Sequence, residues 1–104
     1  MKDTTDIVIL PEDKIKLTQE QKNLIELAFE KQLPPDDAKF IEKVQIESKN
    51  GGNPFARLSE YFTAKYGLDF GMIYLSAIMG GEEKYKETIN SIEKLRVSER
   101  LKRN

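Results

Sequence analysis

Three pairs of neighbouring carboxylates, Glu12 with Asp13, Asp36 with Asp37 and Glu82 with Glu83, are the densest acid chemistry in the chain. Catalysis by paired carboxylates needs two groups converging on one substrate atom from different environments. Neighbours on a helix point about 100° apart, so none of these pairs converges unaided. The second and third pairs each open a helical stretch, where negative charge is favoured by the N-terminal end of the helix dipole. Ser59, Ser76 and Ser91 lack the partners that activate a hydroxyl, since the chain has no His and no Gly-x-Ser-x-Gly turn. Ser76 falls in the most apolar stretch, where its hydroxyl is expected to bond the carbonyl one turn back. The absence of both Cys and His removes thiolate nucleophiles, disulfides and the commonest metal ligands. The sequence therefore assigns no catalytic residue, no cofactor and no metal, and the expectation is a protein that is not an enzyme.

Binding chemistry is better represented. Gly51, Gly52 and Asn53 lead into a helix start that could offer N–H groups to an anion, with Lys49 nearby. No Walker spacing accompanies them, and an ordinary interhelical turn uses the same residues. A DNA-reading helix-turn-helix over residues 54–79 would need polar side chains on its second helix. Phe70, Tyr74, Leu75 and Ile78 stand there instead, which argues against it.

The last helical stretch carries a clearer pattern. Tyr85, Ile89, Ile92, Arg96, Arg100 and Arg103 fall close to one line along a helix, apolar at first and then guanidinium. A buried guanidinium is costly unless paired, so residues from about 96 onward are expected to project beyond the core. Arg96, Arg100, Lys102 and Arg103 would there meet an acidic protein surface or phosphates. A solvated helix end, its cations favouring the dipole, accounts for the same pattern. At the opposite terminus Ile7, Val8, Ile9 and Leu10 form a run too apolar to stand free, which either docks on its own helices or pairs its edge with another chain.

The elements that position these residues can be read from their punctuation. Residues 1–17 are expected to form an N-terminal extended arm or β-hairpin, with Lys14, Ile15, Lys16 and Leu17 alternating after a turn at Pro11, Glu12 and Asp13. Residues 18–104 are expected as a helical domain. Thr18 and Gln21 make a capping box for a first helix carrying Leu24, Ile25, Ala28 and Phe29, which Leu33, Pro34 and Pro35 would stop. A second helix begins near Pro35, faces inward with Phe40, Ile41 and Val44, and ends at Asn50, Gly51 and Gly52. The third has Asn53 as cap, Pro54 at its first position, and Phe55, Leu58 and Phe62 at helical spacing, with Gly67 closing it and Leu68 packing back on Phe62. Residues 70–79 are apolar almost all round. Composition alone fits a buried strand as well as a helix there, and Asp69 and Gly80 as caps favour a helix, the most buried of all. The last helix runs from Glu82 to about Lys102.

These readings predict a mainly α fold: a small four- to five-helix bundle with an N-terminal extended arm or β-hairpin. A chain of 104 residues supports one modest core. Its net charge of −1 disfavours coating nucleic acid through bulk charge, although residues 51–104 carry 9 basic and 7 acidic groups against 8 and 11 in residues 1–50. The start at residues 1–6 is acidic and lacks the apolar run of a secretory signal, and residues 70–81 fall short of the roughly 18 needed to cross a bilayer. An intracellular, cytoplasmic location follows by default, a virion being the other setting considered. The function expected is a protein–protein interaction or assembly module, such as a small accessory component of a larger complex of viral or mobile-element kind. Its partner is another protein or a second copy, with no membrane. Nucleic-acid binding through the basic C-terminal helix is the alternative.

Overall fold

A computed structural model describes residues 8–102 of the chain. Among them lie one turn of 3₁₀-helix (Pro11–Asp13) and four helices: α1 (Gln19–Phe29), α2 (Pro35–Ser48), α3 (Pro54–Tyr66) and α4 (Leu68–Lys102). Gly81, with φ 71° and ψ −159°, breaks α4 into segments 68–80 and 82–102. The chain is mainly α, as the punctuation predicts, with the expected fourth and fifth helices joined through this glycine elbow.

The expected hairpin is absent: no strand occurs among the described residues. Residues 8–17 run instead as an irregular strap on α4. Pro11 opens the 3₁₀ turn, and the Asp13 carboxylate accepts the Leu10 N–H at 3.0 Å, which bends the chain without a partner strand. Ile15 and Leu17 pack against the core from this strap. Their alternation marks burial on one side, and strand pairing was a second inference it did not require.

Thr18 caps α1 as expected, its hydroxyl accepting the Gln21 N–H at 3.1 Å while the Gln21 side chain accepts the Thr18 N–H at 2.9 Å. The prolines do not stop α1. It ends at Phe29 through Lys31, which takes the left-handed conformation (φ 60°). The Lys31 and Gln32 N–H groups bond back to the Ala28 and Leu27 carbonyls at 3.1 and 2.8 Å, a Schellman closure. Pro34 and Pro35 then serve as N-cap and first residue of α2. Asn53 caps α3 by accepting the Ala56 N–H at 3.2 Å. Gly67 turns the chain at φ 96°, and α4 starts at the next residue, so Asp69 lies inside the first turn and is not the cap. Leu68, expected on Phe62, is 75% exposed.

The centre lies within residues 70–79, as expected. Phe70, Ile73, Tyr74, Leu75 and Ala77 are buried in one cluster with Leu58 and Phe62 of α3, Ile25 and Ala28 of α1, and Val44 of α2. A Cβ on Gly71 would lie 2.6 Å from the Phe62 carbonyl oxygen, so the backbones of α3 and α4 touch there. Segment 82–102 adds Tyr85, Ile89 and Ile92, with Tyr85 edge-on to Phe29 at 5.4 Å. Ser76 donates to the Met72 carbonyl at 2.8 Å, the expected bond to the turn before, and meets the Thr88 hydroxyl at 2.5 Å across the elbow.

One charge sits inside this core. Asp36 is exposed at the start of α2, but Asp37 has no exposed surface. Its Oδ1 accepts from the Tyr61 hydroxyl (2.9 Å) and Lys65 Nζ (2.8 Å), and its Oδ2 from the hydroxyls of Tyr66 (2.5 Å) and Tyr74 (3.3 Å). Burial is the largest influence on this carboxyl and pushes its pKa up. The combined bonds from Lys65, Tyr66 and Tyr61 outweigh burial and hold it below the usual aspartate range. Burial, then the bond to Asp37, push the Tyr66 phenol up to about 12, and the same carboxylate keeps Lys65 protonated. A carboxylate with no surface and a lysine held as a cation make a fixed internal lock, which ties α2 to α3 and to residues 68–80.

Asp37→Asn weakens bonds made to a charge and is expected to lower the unfolding free energy by about 2–3 kcal/mol in urea titrations. Asp37 is more acidic folded than unfolded, so its contribution is complete above the unfolded pKa of about 3.9 and is lost as pH falls through the folded value. The variant should therefore show a shallower acid limb than wild type. Parallel acid limbs would contradict the lock.

Candidate functional site

Among the described residues expected to meet a partner, the structure brings the strap that carries Val8, Ile9 and Leu10 against Arg96 and Arg100. Arg96 Nη2 reaches Asp69 Oδ2 at 2.6 Å and its Nη1 donates to the Lys14 carbonyl at 3.2 Å. Arg100 Nη2 reaches Asp13 Oδ2 at 3.0 Å and also donates to the Val8 carbonyl at 3.2 Å. The strap is pinned further by Glu93, which accepts the Ile15 N–H at 3.0 Å. Asp13 is buried, and the Arg100 hydrogen bond, its strongest influence, holds its carboxyl below the ordinary range. Residues 8–15 and 93–100 are one structural unit.

The expectation that residues from about 96 project beyond the core is thus corrected. Val97, assigned to no stripe, is 2% exposed, and Arg96 and Arg100 are half-buried with carboxylate mates. The line of arginines along the helix is real, and the cost of sheltering it is met by pairing within the chain. Only the identity of the mates was hidden, since Asp69 and Asp13 lie far away in sequence. Val8 is exposed, while Ile9 and Leu10 are half-buried on the strap. Lys102 is exposed in the last turn of α4; Ile7 and Arg103 lie outside the described residues. At the Gly51–Gly52 turn, Arg57 pairs with Glu47 at 2.6 Å, which sets a carboxylate beside the place where an anion would sit.

An open feature of the surface is a groove of about 990 Å³ between the two segments of α4, bounded at one end by Glu12 and Asp13 of the strap. Leu68 and Met72 on one wall face Ile92 and Leu95 on the other. Past Met72 and Lys84 it continues into a hollow of about 250 Å³ that reaches Phe55, Leu75 and Met79. Leu95 is 65% exposed, Met79 58% and Phe55 54%, so this is a contiguous apolar strip and not a sealed core. Its polar margin is built from the pairs of Arg96 with Asp69, Arg100 with Asp13, and Lys84 with Glu87 at 3.3 Å. The strip is hidden in the sequence because the pattern sends Leu68 and Met72 into the core with their neighbours. The available signal was the apolar perimeter of residues 70–79, wider than its neighbours could cover.

Comparison with protein-family models, with curated proteins and with solved structures finds no significant match. The fold and surface therefore define this chain only as a small helical domain with an open apolar groove. Among the described residues no helix is long and apolar enough to cross a membrane, and no three carboxylates are grouped to hold a metal ion.

If Arg100 is the pin of the strap, Arg100→Gln should speed hydrogen exchange at the Asp13 and Ile15 amides while far-ultraviolet circular dichroism stays that of wild type. Acidification should lower the protection of the same amides in the wild type, measured against the intrinsic exchange rate at each pH: the depressed Asp13 pKa means the pairing is complete above about pH 4 and is lost as pH falls through the folded value. Unchanged exchange in the variant would show that the strap is held by apolar contacts alone.

Proposed function

We propose that this domain is a non-enzymatic protein-interaction module, and that its groove between the segments of α4 receives a helix from another protein. The apolar strip of Leu68, Met72, Met79, Ile92 and Leu95 carries this reading. Single exposed apolar residues are ordinary on soluble proteins, but contiguous apolar surface rimmed by polar groups marks a binding surface. Two helical walls with an apolar floor suit a third helix, which would pack by the rules that already join α3 to α4. The two methionines add adaptable side chains that fit themselves to an incoming surface.

The chemistry around the groove favours protein over nucleic acid as the occupant. A phosphate backbone needs cations free to replace counterions. Arg96 and Arg100, central to the phosphate-binding alternative, are already engaged by Asp69 and Asp13.

Photo-crosslinking tests the reading. A benzophenone amino acid at position 68 or 95 should yield an adduct with one protein in the cells that make this chain. The same group at position 46, where Ile46 is 57% exposed and lies outside the groove, should yield none. Equal adducts at all three positions, or adducts only at 46, would refute the proposal.

A further inference from the structure

We infer that two copies of this chain exchange residues 82–102 by straightening at Gly81, so that in the resulting dimer each groove has one wall from each copy. The inference stands on the elbow and does not need the docking reading above. α4 keeps helical geometry over Leu68–Lys102 except at Gly81, whose φ of 71° and ψ of −159° fall in a region open essentially to glycine alone. Helices that fold back on one another are usually joined by about two to five residues. Here a single residue reverses the chain. Gly80 is already helical, and Glu82, Glu83 and Lys84 are good helix formers. One change of backbone conformation therefore separates the bent chain from a continuous helix of 35 residues, about 52 Å long. Short, conformationally restricted connections of this kind invite exchange of the element they carry.

The contacts that hold 82–102 in place can form equally well between copies. Thr88 meets the Ser76 hydroxyl, Tyr85 stands edge-on to Phe29, and Glu93 accepts the Ile15 N–H. Arg96 and Arg100 reach Asp69 and Asp13. Each of these pairs has one member beyond the elbow and one before it, and none requires both to belong to one chain. The closed and exchanged forms thus differ at the elbow and in the entropy of pairing, so concentration and the residue at position 81 set the balance. Alanine there resists the bend and favours the straight helix.

The chain has no Cys, so one can be placed in each of two full-length copies, Ser76→Cys in the first and Thr88→Cys in the second. Unfolded together in urea, refolded at high concentration and oxidised, the mixture should give the 76–88 disulfide between copies, identified by mass spectrometry. It should stand in clear excess over the 76–76 and 88–88 products, which random collision would make in equal total amount. In sedimentation Gly81→Ala should lower the dimer dissociation constant by about a hundredfold, because two elbows change per dimer. Inserting Gly-Ser-Gly after Gly81 lengthens the connection and should return the chain to monomer. A 76–88 product no commoner than collision gives, or a folded Gly81→Ala that stays monomeric at every concentration, would overturn the inference. A dimer in sedimentation with only random disulfides would be a side-by-side pair and would overturn it too. Should Gly81→Ala fail to fold, the disulfide arm, made on the native elbow, decides alone. Crosslinking of positions 68 and 95 to a different protein tests the docking reading separately, so either can fail without the other.

Discussion

A helix with no polar face must be covered on every side, and residues 68–80 are such a helix. Phe70, Ile73, Tyr74 and Leu75 are each worth about 2 kcal/mol or more when fully removed from water, so their burial dominates the choice of fold. The neighbours are arranged to provide it. α3 lies close enough that only glycine fits at position 71, α1 brings Ile25 and Ala28, and the elbow at Gly81 folds the second half of α4 back over the first. α2 stands outside this shell and reaches it largely through α3. Asp37 anchors it there, accepting the phenols of two α3 residues, Tyr61 and Tyr66, together with that of Tyr74 from the central helix.

The cover is incomplete along one strip, and the groove is a consequence of how it fails. The chain bends at Gly81 and the Ser76 and Thr88 hydroxyls hold the two segments together near the bend, whereas at the far end the strap, not a helix, fills the space between them. Leu68, Met72 and Met79 are left facing outward from a helix whose other sides are sealed. The arginines that looked free in sequence support this architecture from the groove's margin, fixing the strap and the first turn of α4 to its last turns.

Much of the fold was legible because local punctuation is chemically specific. Thr18 with Gln21, Asn53 with Pro54, and Gly67 each have one low-energy use, and each is used so. The central helix was legible from its perimeter. What escaped was every feature set by partners distant in sequence. Asp37 reads as an ordinary first-turn acid until α3 presents its phenols, and Arg96 and Arg100 read as projecting until Asp69 and Asp13 arrive. The strap read as a hairpin because alternation reports which side is buried and not what buries it. Of the groove, only the excess of apolar surface could be seen beforehand, since Leu68 and Leu95 become neighbours through the elbow alone.

Native-state hydrogen exchange measured amide by amide along α4 addresses the central requirement directly. Residues 73–75 should exchange only through global unfolding, with an opening free energy equal to that from denaturant titration and a denaturant dependence to match. Exchange of those amides at the rate of the exposed last turn near Lys102, with no dependence on denaturant, would mean that residues 68–80 are not the covered centre of this protein.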